Sequence, residues 1–271
     1  MSNKILFITH PVSTLNVSKD TSLFMVEHAQ RLGISSFQCE TSDISFQNAS
    51  VKACAYAIEL KDKEILLQEA SEDINLKDFK CVFMRKDPPV DQDYMNTLHL
   101  LDLASSEGAN IINDPSAVKK FNEKIFALYF AKYIPNTIIT SKVSEIKSFA
   151  QDFNEIVIKP LNGMGGESIY KLNEIGSEEE AIIEDLTNQG STSIVGQEFL
   201  PEIYDGDFRI LIINGKPFQK TLARIPQGGS FKGNLAAGGK GVAQDLKPHQ
   251  EAVATEIGEV LVKNGILFAG L

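Results

Sequence analysis

A lysine followed by closely spaced glycines is the feature of the chain that most suggests chemistry. Lys159 lies in the apolar run 155–161, and the glycines that follow it are Gly163, Gly165 and Gly166. The run is typical of a buried strand, and a second strand-like run comes after the glycines. A glycine loop between two strands can fold over phosphates and offer them backbone N–H groups. The same pattern is also typical of a mobile hairpin tip, and these residues alone leave both interpretations open.

Two common nucleotide motifs do not fit this loop. A dinucleotide-binding fingerprint needs a third glycine where the chain has Ser168, and a helix where the chain has a strand-like run. A P-loop ends in Gly-Lys followed by Ser or Thr, and this loop has no such ending. Phosphate binding would therefore require a fold in which a lysine-bearing strand and a glycine flap act together.

A cationic stretch without any acid lies further along the chain. Residues 208–244 contain no Asp or Glu, and their cations are Arg209, Lys216, Lys220, Arg224, Lys232 and Lys240. Because the whole chain carries a formal charge of −10, this concentration of positive charge predicts an anionic ligand. A solvated strand face is the alternative interpretation. Nucleic acid is not favoured as the ligand, because few aromatic residues accompany the cations.

Residues 225–241 contain six of the chain's 19 glycines. Glycine loses much conformational freedom when it is ordered, and loops longer than about 12 residues are usually functional or disordered. We therefore expect this segment to be mobile without ligand and to close as a lid over a reacting centre. The lysines, arginines and two glycine loops together predict a site for ATP and a carboxylate, because phosphoryl transfer needs positioning and cationic neutralisation.

Short apolar runs alternate with helical patterns, which predicts an α/β fold with a mainly parallel sheet. The expected strands and hairpins include 4–9, 36–40, 51–60 with 64–69, Cys81–Met84, 137–140, 155–161, 168–172 and 193–200. Asp20 or Thr21 can cap a helix that runs to Gly33, and a single long helix is expected at 116–133. Asn214-Gly215 between two apolar runs predicts a further hairpin. We expect domain boundaries near residues 120 and 200.

Composition limits the class of protein. A chain of 271 residues with 43% hydrophobic and 23% charged residues is typical of a globular protein with two packed units. The excess of acids disfavours nucleic acid and anionic membranes as partners. No apolar run approaches the ~20 residues that span a bilayer, and no targeting segment is recognisable. Three cysteines without a Cys-x-x-Cys pair argue against disulfides and zinc, and they fit a reducing cytoplasm.

Several segments together carry a family resemblance. The most specific are Arg-Ile-Pro-Gln-Gly-Gly at 224–229 and Gly-Asn-Leu-Ala-Ala-Gly-Gly at 233–239. The others are Asn-Val-Ser-Lys-Asp-Thr-Ser at 16–22, Met-Arg-Lys-Asp-Pro-Pro at 84–89, Asn-Glu-Lys at 122–124, Ile-Lys-Pro-Leu-Asn-Gly-Met-Gly-Gly at 158–166 and Asp-Gly-Asp at 205–207. In these segments, and in order over essentially its whole length, the chain resembles the bacterial glutathione synthetases, which are ATP-grasp ligases.

The resemblance implies a fold, a reaction and a set of partners. It implies an N-terminal α/β domain at 1–120, an ATP-grasp lid subdomain at 121–200 and an ATP-grasp core subdomain at 201–271. The implied reaction is ATP-dependent ligation of γ-glutamylcysteine to glycine, which yields glutathione, ADP and phosphate through an acyl phosphate. Mg²⁺ or Mn²⁺ would be the metal, and the enzyme would be a cytoplasmic homo-oligomer, tetrameric in the family.

The resemblance also implies roles for particular residues. Lys124 and Lys159 would hold the ATP phosphates, under a flap formed by Gly163, Met164, Gly165 and Gly166. The adenine would lie at a hinge formed by Gln197, Glu198, Phe199 and Leu200, and Asp207 would bind the ribose. Arg209 and Arg224 would be the catalytic cations that stabilise the acyl phosphate and the tetrahedral intermediate. The residues expected to contact the amino-acid substrates are Arg85 and Asn234.

The chain departs from the family at Leu271. The family's metal-binding carboxylates lie after this point, so we expect no metal ligand in residues 1–271, an incomplete core subdomain, and a gene product that extends further. Residues 1–271 alone are then not expected to carry out the ligation. Two alternatives stay open. One is another ATP-grasp carboxylate–amine ligase, such as a D-alanine–D-alanine or glutamate-adding ligase. The other is a non-catalytic protein that binds ATP or a dipeptide, if Leu271 is the true C-terminus.

Overall fold

The computed structural model describes residues 3–86, 88–163 and 165–271, without the side chains of Glu69 and Ala70. The chain forms two compact units. The first comprises the residues up to Lys120 together with Glu259–Phe268, and the second comprises Phe121–Gly258 with Ala269–Leu271. The subdomain boundaries that the sequence suggests near residues 120 and 200 remain predictions. None of the helices in the described ranges combines the length and apolar character needed to cross a bilayer.

The first unit is built on a seven-stranded sheet. Its elements are β1 (Lys4–Ile8), α1 (Thr21–Arg31), β2 (Ser35–Cys39), β3 (Ile44–Gln47), β4 (Ser50–Lys61), β5 (Glu64–Asn75), β6 (Cys81–Met84), α2 (Gln92–Ser106), β7 (Ile111–Ile112) and α3 (Pro115–Lys120). The strand order is β3-β4-β2-β1-β6-β7, with β5 paired to the free side of β4. The α/β class expected from the sequence is confirmed.

Strand β1 shows why the central strands read as continuous apolar runs. Ile5 and Phe7 pack on one face of the sheet with residues of α1, whereas Leu6 and Ile8 pack on the other face with residues of α2. A strand covered by helices on both faces has no polar side, so its sequence does not alternate. Helix α1 begins where the sequence predicts, because the Asp20 carboxylate accepts the Leu23 N–H at 3.0 Å.

The first sheet is mixed rather than mainly parallel. Strands β2, β1, β6 and β7 pair in parallel, whereas β3, β4 and β5 add antiparallel pairings at one edge. The hairpin of β4 and β5 was expected, but β5 extends to Asn75 rather than to residue 69. Its turn places Asp62 and Lys63 at φ 53° and 65°, the left-handed conformation that a tight two-residue hairpin requires.

The second unit carries two four-stranded sheets. Its elements are α4 (Glu123–Phe126), β8 (Thr137–Thr140), α5 (Val143–Ala150), β9 (Ile156–Pro160), β10 (Tyr170–Leu172), α6 (Ser177–Leu186), β11 (Ile194–Glu198), β12 (Asp207–Ile213), β13 (Lys216–Ile225), β14 (Lys240–Asp245), α7 (Pro248–Lys263, shared with the first unit) and β15 (Phe268–Gly270). The strand orders are β10-β9-β11-β8 and β14-β13-β12-β15. Ile146 of α5 and Ile183 of α6 bury the apolar face of the first of these sheets.

The single helix expected at 116–133 is wrong. Helix α3 ends at Lys120, α4 begins at Glu123, and Ala127–Tyr133 is a 3-10 segment with a non-helical Phe130. The Asn122 side chain explains the first break, because its Oδ1 accepts the N–H groups of Lys124 and Ile125 at 3.0 and 3.1 Å. An asparagine that caps a new helix cannot also continue the previous one.

Two further expectations have opposite outcomes. The strand expected to start at residue 168 starts at Tyr170, because Ser168 has φ 53° and still belongs to the preceding turn. The hairpin predicted from Asn214-Gly215 is confirmed, with β12 and β13 on either side of a turn in which both residues have positive φ.

Candidate functional site

The candidate site begins at Lys159 on β9, one of three adjacent strands that place polar side chains together. The Lys159 Nζ donates a hydrogen bond of 2.6 Å to Oε1 of Gln197 on the neighbouring strand β11. Burial, and then the nearby positive charge of Lys124, lower the pKa of the Lys159 ammonium, while Glu123 partly opposes them. A cation that is poorly solvated and repelled by a second cation would be stabilised by an anionic ligand.

Lys124 reaches the same region from α4. Its Nζ donates to the carbonyl oxygens of Leu161 and Gly163, at 3.0 and 2.8 Å, and lies 2.8 Å from a carboxylate oxygen of Glu123. Residues 161–169 between β9 and β10 are named the flap here. Lys124 therefore holds the start of the flap through two charge-assisted hydrogen bonds.

Glycine is required in the flap by backbone geometry. Gly165 and Gly166 have φ of +67° and +86°, and a Cβ on Gly163 would lie 2.5 Å from Cγ of Pro160. Any other residue at these three positions would be strained or would displace a neighbour. Met164, which the sequence also assigns to the flap, lies outside the described residues.

The expected hinge, residues 197–200, forms one wall of a cavity of about 300 Å³. The hinge is fixed by backbone bonds from Glu198 N to Asn136 O and from Phe199 N to Glu155 O, both of 3.0 Å. The Phe199 ring is buried and meets Phe231 edge-on at 6.1 Å. The residues that line the cavity are Pro135, Val157, Lys159, Ile169, Gln197, Glu198, Phe199, Leu200, Ile203, Asp207, Phe231, Lys232, Gly233 and Asn234.

Asp207 and Arg224 are paired with each other. They lie opposite one another on β12 and β13, and Nε and Nη2 of Arg224 donate to the two carboxylate oxygens of Asp207 at 2.6 and 2.7 Å. The sequence assigns these two residues to different ligands, the ribose and the acyl phosphate. In this structure the carboxylate of Asp207 and the guanidinium of Arg224 form hydrogen bonds to each other. The ribose and the acyl phosphate would therefore each have to compete with a bidentate ion pair.

Arg209 lies next along β12, and more than a third of the residue remains open to solvent. Surrounding protein atoms and the charge of Arg224 lower the pKa of its guanidinium. Its exposure leaves it accessible to a ligand, and an arginine stays protonated under ordinary conditions. Its side chain passes so close to Gly270 that a Cβ there would lie 3.0 Å from the guanidinium.

The cationic stretch does not converge on one place. Of its lysines, Lys220 forms an ion pair with Asp245, and Lys232 lines the cavity. Lys216 and Lys240 are exposed to solvent at strand ends. An anion-binding surface could therefore include only the part of the stretch near Arg209, Arg224 and Lys232, and its binding of an anion remains a prediction.

Residues 226–239 between β13 and β14 are named the long loop here. The carbonyl oxygen of Asn234 accepts the N–H groups of Ala237 and Gly239 at 2.9 and 3.0 Å. A Cβ on Gly166 of the flap would lie 3.0 Å from Oδ1 of Asn234 and 3.6 Å from Cβ of Ala237. The two glycine loops are therefore in contact, and Asn234 lies where they meet.

Arg85, the remaining expected substrate contact, belongs to the first unit. It follows β6, its backbone N–H bonds to the carbonyl oxygen of Ile8 at 2.8 Å, and its guanidinium lies 5.2 Å from the Phe268 ring centroid. Its Nε donates a long hydrogen bond of 3.4 Å to the hydroxyl of Ser22. The side chain is thus held by neighbours within its own unit.

The cysteines do not supply a nucleophile among these groups. Burial raises the pKa of Cys81 to about 12 and raises that of Cys39 well above its usual range.

Within residues 3–86, 88–163 and 165–271, no group of three or more His, Cys, Asp or Glu side chains could hold a metal ion. Near the cavity, Glu123 and Asp207 each have a cation as partner instead.

The sequence gives no indication that Thr137 and Pro135 belong to the candidate site, although Pro135 lines the cavity. Thr137 on β8 lies opposite Gln197 and accepts a hydrogen bond of 2.9 Å from its Nε2. A threonine in a short apolar strand gives no signal of its own. It could have been found only from the pairing of β8 with β11, which are some 60 residues apart.

Comparison with known proteins gives a consistent result. Residues 3–119 match the family model for the N-terminal domain of prokaryotic glutathione synthetase, and residues 123–271 match that for its ATP-grasp domain. Glutathione synthetase of Vibrio parahaemolyticus is 37% identical over 270 residues, which cover 99% of this chain and 85% of that protein.

Solved structures resemble the fold. D-cycloserine synthetase DcsG has a TM-score of 0.66 at 13% identity. The match covers 97% of this chain and 83% of the DcsG chain. The ATP-grasp ligase PsnB, in a complex with a minimal precursor, Mg and ADP, has a TM-score of 0.56 at 14% identity. The match covers 99% of this chain and 83% of the PsnB chain. At these identities the likeness supports the ATP-grasp fold and nothing finer.

Proposed function

The chain belongs to the prokaryotic glutathione synthetase family, and we propose that it ligates γ-glutamylcysteine to glycine at the expense of ATP. The observation that carries this proposal is the meeting of two lysines, a glycine flap and a hinge-walled cavity at one place in the second unit. Each part suits a different portion of a nucleotide, since the cavity is of a size for a base and the cations suit its phosphates.

For nucleotide binding, the base would occupy the cavity beside Phe199 and Leu200, with Gln197 and Glu198 at its edge. Lys159 and Lys124 would receive the phosphates, and Gly163, Gly165 and Gly166 would cover them with backbone N–H groups. Lys124 now binds flap carbonyls, so it would exchange or share these bonds when phosphates enter. Asp207 would bind the ribose after releasing Arg224.

ATP supplies the chemistry by phosphorylating the C-terminal carboxylate of the dipeptide, which the glycine amine then attacks. For this step we propose that Arg209 and Arg224 neutralise the charge that develops at the reacting carbonyl and phosphate. Asn234 and Arg85 would orient the amino-acid substrates. The long loop would exclude water, which would otherwise hydrolyse the activated carboxylate.

Magnesium is proposed as the counter-ion of the nucleotide, since Mg and ADP occur together in the PsnB complex. The described residues do not fit such a site, because they contain no group of three or more His, Cys, Asp or Glu side chains that could hold a metal, and Glu123 and Asp207 are paired with Lys124 and Arg224. No step is therefore assigned to the metal. We further propose the three-part division at residues 120 and 200, a homo-oligomeric state and a cytoplasmic location, as the resemblance implies.

The reaction can be tested by product analysis. The purified full-length gene product, with ATP, Mg²⁺, γ-glutamylcysteine and glycine, should release ADP and form glutathione in equal amounts, measured by chromatography and mass spectrometry. Replacing glycine with D-alanine, or the dipeptide with D-alanine alone, should give little product. ADP release that needs D-alanine would favour a D-alanine-type ligase, and ATP binding without any product would favour a non-catalytic role.

A further inference from the structure

Three polar side chains of the second unit form a row across three adjacent strands. Thr137 on β8 lies directly opposite Gln197 on β11, and Lys159 on β9 is the diagonal neighbour of Gln197 on the same face. Cross-strand neighbours of this kind are close enough for direct contact. The row joins the cavity wall to a strand that contributes no other group to the proposed nucleotide site.

The hydrogen bonds in this row have a fixed direction. The single hydroxyl proton of Thr137 is donated to the carbonyl oxygen of Pro135 at 2.7 Å. Its oxygen can then only accept, and it lies 2.9 Å from the amide nitrogen of Gln197. At the other end the ammonium of Lys159 can only donate, and it lies 2.6 Å from the amide oxygen of Gln197. Both neighbours therefore require the same orientation of the Gln197 amide.

A fixed amide presents a fixed hydrogen-bonding group to a ligand. Gln197 and Lys159 both line the cavity, together with Pro135. The NH₂ of Gln197 is held on the side of Thr137, so its carbonyl oxygen lies on the side of Lys159, which lines the cavity, and has a second lone pair beyond the one used by Lys159. Adenine carries an amino donor at the position where guanine carries a carbonyl acceptor.

We infer that Thr137 is a positioning residue that makes the site selective for ATP over GTP, by holding the Gln197 amide with its oxygen towards the base. The inference rests on the proposed binding of the nucleotide base in this cavity. A guanine carbonyl would face the carbonyl oxygen of Gln197, an acceptor that cannot rotate away. Polar groups left unpaired in a binding site in this way discriminate strongly against the wrong ligand, here GTP. If Thr137 could not accept, the amide could rotate and offer its NH₂ to guanine.

The test uses Thr137→Val, which keeps the shape of the side chain and removes the hydroxyl. Dissociation constants for ATP and GTP would be measured by calorimetry on the full chain, with kcat and KM for both nucleotides. We expect the preference for ATP over GTP to fall about tenfold, through weaker ATP binding and higher KM, with KM for glycine unchanged. Thr137→Ser, which retains the hydroxyl, should restore the preference.

A matched control separates positioning from general destabilisation. Thr97→Val removes the hydroxyl of a buried threonine of the first unit, which bonds to the carbonyl of Asp93 in α2. This variant should keep the wild-type nucleotide preference. The inference is overturned if Thr137→Val keeps the wild-type preference, if Thr97→Val changes it equally, or if the wild type does not distinguish ATP from GTP.

A fourth variant distinguishes this inference from the proposed function. Lys159→Ala should weaken ATP binding if the nucleotide occupies the cavity. If it does so while Thr137→Val leaves the preference intact, only the role of Thr137 is wrong. If Lys159→Ala binds ATP as the wild type does, the nucleotide binds elsewhere, and the proposed site and the inference both fail.

Discussion

The flap and the long loop are both rich in glycine, and in both it serves positive φ angles and close approaches, but the two loops are held in different ways. In the flap, Gly165 and Gly166 supply positive φ angles, and the loop is tied down from outside by the charged side chain of Lys124. In the long loop, Gly233 permits a close approach, since a Cβ there would lie 2.6 Å from the carbonyl oxygen of Arg224. Glycine content alone therefore does not say what holds a loop.

This difference predicts two kinds of sensitivity. The flap should respond to a loss of charge, because its anchor is an ammonium that also belongs to the proposed phosphate site. The long loop should respond to added volume, because its path is set by backbone atoms that approach each other without side chains between them.

Lys124→Met should have the largest effect. It retains most of the side chain's length but removes both charge-assisted bonds to the flap and one of the two cations proposed to bind the phosphates. With about 1.5–3 kcal/mol for a hydrogen bond to a charged group, we expect kcat/KM for ATP to fall about 100-fold or more. Lys216→Met, an exposed lysine at the start of β13, is the matched control. Near wild-type kcat/KM in Lys124→Met would contradict the role of the anchor.

Gly233→Ala should weaken the coupling of ATP use to glutathione formation. The new methyl group would meet the Arg224 carbonyl, so the long loop would be displaced. We expect glutathione formation to fall about tenfold while ADP release continues, because water reaches the activated carboxylate. Gly228→Ala has open space around its Cβ at φ +63° and should cost only the roughly 1–2 kcal/mol of left-handed strain.

The measurement for this pair of variants is the ratio of glutathione formed to ADP released. We expect a ratio near one for the wild type and for Gly228→Ala, and a clearly lower ratio for Gly233→Ala. Equal ratios in the two variants would mean that the close approach at Gly233 does not control water access.

Hydrogen exchange should also distinguish the loops. The long loop is expected to be mobile without ligand, so its amides at 227–233 should exchange rapidly in the free protein and slow down when an ATP analogue and the dipeptide bind. Within the loop, the N–H groups of Ala237 and Gly239 bond to Asn234 and should exchange more slowly. Slow exchange throughout 226–239 in the free protein would contradict the expected mobility.

The smallest expected effect is a proton uptake at alkaline pH. The pKa of Lys159 is lowered from its ordinary 10.5 in the protein without nucleotide. Part of the protein molecules therefore lose the Lys159 proton as the pH rises towards that value. Phosphates favour the charged form, so ATP binding should raise the pKa again and take up a fraction of a proton, while affinity falls with rising pH. Calorimetry in buffers of different ionisation enthalpy measures this uptake, and Lys159→Arg should abolish it.

Local signals in the sequence predicted much of this fold. The turn at Asn214-Gly215, the Asp20 cap and the apolar run of β1 each depend on neighbouring residues, so each could be recognised in isolation. The break at Asn122 was missed because a helical pattern continues through it. Strand β5 is longer than its own sequence indicates because β4 continues beside it and pairs with it.

The candidate site was predictable residue by residue but not in its pairings. Without a bulge, the turn at residues 214–215 would place Asp207 opposite Leu222. A register shift between Ile210 and Ile212 moves Arg224 into that position instead. The pairing of Asp207 with Arg224, like that of Thr137 with Gln197, depends on strand register, which residue types alone do not specify.

The most direct test of the central claim, that the nucleotide binds at Lys159 beneath the flap, is a calorimetric titration of wild type and Lys159→Ala with ATP. Loss of one ammonium contact of about 1.5–3 kcal/mol should weaken binding about 10- to 150-fold. Lys142→Ala, which removes an exposed lysine paired with Glu145 on α5, should bind as the wild type does. An unchanged dissociation constant in Lys159→Ala would contradict the account.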